Sequence, residues 1–133
     1  MKRIAELILE ACFLKHVQRT GYQYLGNGKE SVAEHVYSTT FIAFILAQLS
    51  PEVDACRLIT MCLVHDLPEA RIGDLNYVQK QYVNADETGA LKDALQDIAF
   101  GPQIEALLAE FNAGETPEAR LAMMPINYPC SSI

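Results

Sequence analysis

The chain has 133 residues, half of them apolar, and a formal net charge of −7. That length suits one domain, and the acidity disfavours a nucleic-acid partner, because a negative surface repels the phosphate backbone. No apolar run of about 18 residues goes uninterrupted by polar residues, so no membrane partner is expected.

Ile4, Leu7, Ile8, Ala11 and Leu14 recur at helical spacing and predict an amphipathic first helix rather than a signal peptide. Glycines at 21, 26 and 28 break that pattern. Ser31-Val32-Ala33-Glu34 is a capping box, which starts a second helix. From Val36 to Leu49 this helix is apolar on nearly every side, so burial on most faces is expected. Ser50-Pro51 reads as the cap and first turn of a third helix, which runs through the apolar stretch Ala55–Val64. Asn84-Ala85-Asp86-Glu87 is a second capping-box pattern, predicting a helix to about Phe100 that Gly101-Pro102 stops. Ile104–Phe111 reads as a short helix, and Thr116-Pro117 starts the last one. Strand-like alternation is weak everywhere, so the expected fold is all-α.

Cys12, Cys56, Cys62 and Cys130 include no C-x-x-C pair. The first three lie in apolar helical stretches, where a free thiol behaves as a small core residue, consistent with a reducing cytoplasm. Lys15, His16, Arg19 and Lys29 form a local cationic group. Composition leaves open whether they hold a small anion or are ordinary surface charge.

The chemistry concentrates in Leu63-Val64-His65-Asp66-Leu67-Pro68-Glu69-Ala70-Arg71-Ile72-Gly73-Asp74. A carboxylate directly after an apolar helix is costly unless paired or metal-bound. Helical spacing would put Glu69 near the same face as His65 and Asp66, with Asp74 just past a glycine bend. The His-Asp dipeptide alone is common by chance. His35 strengthens it: in the first turn of a helix a cationic imidazole gains nothing from the dipole, so a neutral ligand is the better reading. Two histidines and an aspartate suit a divalent transition metal.

Three segments in this order, Leu14-Lys15-His16-Val17-Gln18-Arg19-Thr20-Gly21, Glu30-Ser31-Val32-Ala33-Glu34-His35 and His65-Asp66-x-x-Glu69-x-x-x-Gly73-Asp74, resemble the HD-domain 5′-deoxynucleotidase family over residues from about 10 to 123. The resemblance implies an all-α HD bundle of about five to seven helices. It implies that His35, His65 and Asp66 bind one divalent metal (Mn, Co, Fe, Ni or Zn) together with a later Asp. It assigns Glu69 and Asp74 to the water and leaving group, without saying which does which, and Arg19 and Lys80 to the phosphate. Tyr22 stands near a position where family members often carry Trp, close to the sugar. The implied substrate is a small phosphomonoester, a nucleoside 5′-monophosphate, and the implied assembly a homodimer in the cytoplasm.

The sequence departs from the family at its end. Thr116-Pro117-Glu118-Ala119-Arg120 matches the start of the last family helix, but no acidic residue follows Glu118 to serve as the fourth ligand. Pro125 is also expected to break that helix. The genetic code suggests a cause. Reading from the last base of the Met123 codon gives Asp, Ala, an Asp-compatible codon, a Gln- or Lys-compatible codon and Leu. That is the D-A-D-K/Q-L pattern of the family. Residues 1–123 are therefore expected to form the HD domain and 124–133 a frameshifted, non-family tail, with reduced or absent activity. A coding DNA whose shifted frame lacks the motif overturns this. Alternatives are an HD hydrolase of another phosphorylated metabolite, or an impaired metal- or nucleotide-binding remnant. The blandest is a helical interaction protein whose His-Asp pair is accidental.

Overall fold

A computed structural model describes residues 1–21 and 28–127 of the chain. The described residues are all-α: α1 (Lys2–Phe13), α2 (Val32–Leu49), α3 (Ala55–Val64), α4 (Glu69–Ile72), α5 (Glu87–Ala94), α6 (Gly101–Ala113) and α7 (Pro117–Asn127), with short 3-10 turns at Leu14–His16 and Gln79–Gln81. The one β-type pairing among them is an isolated antiparallel bridge between Gln18 and Ser31.

Two compact units emerge. The first joins Met1–Glu34 to Asp66–Gly101, and the second joins His35–His65 to Pro102–Ile133. In the first, Leu14, Val32, Leu67, Leu91, Leu95 and Ile98 are buried. Arg19 N–H donates to the Glu30 carbonyl at 2.8 Å and Val32 N–H to the Val17 carbonyl at 2.8 Å, pinning the end of the N-terminal segment beside the start of α2. In the second unit, Ala43 and Ala47 of α2, Leu58, Met61 and Cys62 of α3, and Ala119 and Ala122 of α7 form one cluster with Val53. Alanines at these positions let helix backbones approach closely. Arg57 of α3 pairs with Glu110 of α6 and lies 3.9 Å from Glu118 of α7. Glu118 also accepts the Asp54 N–H at 2.9 Å. These contacts hold the Glu118 carboxyl below its usual range, the Asp54 bond being the largest cause.

The capping box of α2 forms as expected: Ser31 N–H donates to Glu34 at 2.6 Å and Glu34 N–H to the Ser31 hydroxyl at 3.1 Å. Several element ends differ from expectation. Ser50-Pro51 makes a turn, closed by Val53 N–H on the Ser50 carbonyl, and α3 begins only after Asp54, whose side chain accepts from Arg57 N–H. The cap of α5 is Asp86, accepting from Gly89 N–H at 2.9 Å. That helix stops at Ala94 rather than near Phe100, because Asp97 takes a left-handed backbone (φ 61°) and the Arg3 guanidinium occupies the carbonyls of Asp93, Ala94 and Gln96. Gly101-Pro102 opens α6 instead of closing α5, in keeping with proline's fitness for a first helical turn. Pro125 lies inside α7, which continues to Asn127. So close to the helix end, it forfeits a single backbone bond, to the Leu121 carbonyl, and leaves little helix beyond it to disrupt.

Burial of α2 is also less complete than its composition suggests. Tyr37, Phe41, Phe44, Ile45 and Leu49 are exposed; the Tyr37 and Phe41 rings stack with centroids 6.5 Å apart, and the Phe44 ring is tilted against Phe41 at 6.1 Å. By length and composition alone this helix is also apolar enough to cross a membrane, a property shared by core helices of soluble proteins. Of the cysteines, Cys62 is buried as expected and its thiol is pushed up to about 12 by burial, whereas Cys12 and Cys56 are exposed. Cys130 lies outside the described residues.

Candidate metal centre and acidic cavity

His35 sits in the first turn of α2 and is 3% exposed. His65 caps the C-terminus of α3, its N–H bonding the Met61 carbonyl at 2.9 Å. The His65 Nδ1 lies 2.7 Å from the Cys62 carbonyl oxygen. A carbonyl only accepts, so Nδ1 carries the hydrogen and Nε2 the lone pair. The two imidazole rings meet edge to face, with centroids 5.7 Å apart. Asp66 follows His65 directly, and one donor atom from each of His35, His65 and Asp66 lies within 4.8 Å of the others. Two nitrogens and one carboxylate oxygen suit a divalent transition ion, and a ligating histidine is commonly oriented through its other nitrogen by a carbonyl in this way. The donor set fits the metal that the sequence implied.

Beyond Asp66 the chain does not continue as the helix expected for Glu69. Residues 65–68 form turns, and Pro68, which cannot donate to an α-helical ladder, separates α3 from the single turn α4. Glu69 N–H bonds the Asp66 carbonyl at 3.0 Å, so the chain still coils tightly. Burial pushes the Glu69 carboxyl up to about 9, helped by the negative charges of Asp66, Asp74 and Glu87 and opposed by Arg19. Gly73 ends α4 with φ 74° and ψ 174°, a combination that favours glycine. Asp74 then meets Thr20: its Oδ2 accepts from the Thr20 N–H at 2.9 Å and from the Thr20 hydroxyl at 3.3 Å.

Glu69 and Asp74 line a cavity of about 290 Å³ together with Lys80, Asn84 and Glu87 and the apolar side chains of Ile72, Leu75 and Val83. Lys80 is thus brought to the same cavity as the two carboxylates. Arg19 is half-buried and 4.0 Å from Glu30, and its charge is felt at Glu69. Lys15, His16 and Lys29, by contrast, are exposed. Tyr22 lies outside the described residues.

Three residues of this region were not singled out as site residues from the sequence. Thr20 anchors Asp74 across 54 positions. Glu30 pairs with Arg19. Glu87 lines the cavity because Asp86 does the capping. A Thr directly after Arg19 was the available signal for the first; the others carry none that is local.

The HD-domain family profile matches residues 12–126. Over 114 residues the chain is 32% identical to a zebrafish protein named 5′-deoxynucleotidase HDDC2, covering 81% of this chain and 56% of that one. A mouse protein of the same name is 33% identical over 113 residues, covering 80% and 56%. The chain thus spans a little over half the length of these curated relatives. Among solved structures, a conserved hypothetical protein from Pyrococcus furiosus superposes with a TM-score of 0.81 at 32% identity, covering 92% of this chain and 74% of that one. A protein from Pyrococcus horikoshii OT3 gives 0.77 at 28%, covering 92% and 71%. With the family profile spanning most of its length, the chain belongs to the HD-domain family.

Proposed function

We propose that the chain is a metal-dependent phosphohydrolase that cleaves the phosphomonoester of nucleoside 5′-monophosphates. The observation that carries this is the convergence of one donor atom each from His35, His65 and Asp66 within 4.8 Å, followed in the chain by the cavity carboxylates Glu69 and Asp74. The names of the relatives support the nucleotide class.

His35, His65 and Asp66 would hold the ion, which supplies Lewis-acid polarisation of a phosphoryl oxygen and a lowered pKa for bound water. The remaining tasks fall to the chain. Arg19 and Lys80 offset the charge of the phosphate oxygens. Glu69, whose affinity for a proton is raised, is suited to deliver that proton to the departing 5′-oxygen. Asp74, fixed by two bonds from Thr20, is suited to orient the attacking water. A homodimeric assembly is part of the proposal.

The test is metal analysis of the purified chain after dialysis against excess Mn or Co. Retention of about one ion per chain, abolished in His65→Ala, is expected for such a three-donor site. Phosphate release from nucleoside 5′-monophosphates over other phosphorylated metabolites then tests the substrate class. Equal metal retention by His65→Ala removes the basis of the proposal.

A further inference from the structure

We infer that Phe111 is a positioning residue for His65, setting the plane of its imidazole. The Phe111 ring, on α6, packs against the His65 ring with centroids 5.7 Å apart and planes inclined by 54°. Phe111 is itself held against the alanine-rich cluster of the second unit, so its ring is braced rather than loose. His65 is also constrained at Nδ1 by the Cys62 carbonyl at 2.7 Å and lies edge to face with His35.

The hydrogen bond to the Cys62 carbonyl fixes the tautomer and one direction in the ring plane, and the Phe111 ring packed on the imidazole opposes rotation about that bond. The direction of the Nε2 lone pair relative to His35 and Asp66 therefore depends on Phe111. A bulky aliphatic side chain fills the space apolarly yet offers no flat surface, so shape rather than burial is what the site requires.

The experiment compares wild type, Phe111→Leu and Phe111→Tyr, each shown to be folded by cooperative thermal unfolding. In the metal-free proteins, long-range proton–nitrogen correlation spectra of the imidazoles report the His65 tautomer and its aromatic ring-current shift. Wild type and Phe111→Tyr are expected to show one Nδ1–H tautomer with a shifted ring proton; Phe111→Leu is expected to lose the shift and to show averaged nitrogen resonances. Co(II) titration followed by visible absorbance is the second arm and rests on the metal reading above. There Phe111→Leu is expected to bind about tenfold more weakly, the scale on which residues that orient a ligand act, with Phe111→Tyr restoring the wild-type affinity. An unchanged His65 spectrum in Phe111→Leu overturns the positioning role, whatever the titration shows. If wild type takes up no Co(II) while the spectra change as expected, the metal reading fails and the positioning of His65 stands.

Discussion

At the residue scale, Glu69 carries the clearest consequence. Its carboxyl is pushed from an ordinary 4.5 up to about 9, chiefly by burial. Between those two values the folded chain holds a proton that the unfolded chain gives up. Stability contributed through this group therefore falls as pH rises through that window. Glu69→Gln removes the dependence and is expected to raise the stability of the metal-free protein by roughly 5 kcal/mol near pH 8, and by under about 1 kcal/mol near pH 5. Urea unfolding of both proteins at the two pH values checks it, and an unchanged wild-type midpoint between them sinks it. The clustering of His35, His65 and Asp66 was legible because a His-Asp pair after an apolar helix, with a second His in the first turn of the preceding helix, is visible in short windows. Thr20 and Glu30 were not, because hydroxyl-to-carboxylate and Arg-to-Glu contacts leave no periodic trace in a sequence.

Among the elements, starts written by neighbouring residues were legible and ends set by distant ones were not. The Ser31–Glu34 box satisfies two backbone donors within four positions, and the composition there announced it. Ser31→Ala is expected to cost about 1 kcal/mol, with thermal unfolding as the measurement; because α2 carries His35 in the same turn, its metal affinity should weaken alongside. A stability loss below a few tenths of a kcal/mol would mean that the box contributes little here. By contrast, the end of α5 depends on Arg3, some ninety positions away; the start of α3 is the exception among starts, because its local cap Asp54 lies just after Ser50-Pro51, a pair that carries the same kind of signal but forms a turn. The same gap explains the surface of α2: apolar residues on all sides of a helix say nothing about which side finds a partner within the chain.

For the molecule as a whole, the all-α class was legible from helical spacing and the lack of alternation. Its division into two compact units was not, since α2 runs across the boundary with no break in composition. An ion held by His35, His65 and Asp66 would bind only the folded chain, so saturating Mn or Co is expected to raise the unfolding free energy of wild type by about 3 kcal/mol at a hundredfold excess over Kd. The gain should vanish in His65→Ala. Calorimetry with and without the ion decides it, and an equal gain in the variant would point to binding elsewhere.

Gly73 shows how a site can be specified by handedness rather than by room. A methyl group added there meets nothing within 4 Å, yet the backbone sits at φ 74°. The obstacle to Gly73→Ala is thus the chirality of the residue, and a loss of about 1–3 kcal/mol is expected with Asp74 pulled from Thr20. An alanine of the opposite hand, introduced by chemical ligation, has the mirror-image preference and should keep both the turn and the stability. If the two enantiomers prove equally harmful, the space around residue 73 rather than its handedness is what matters.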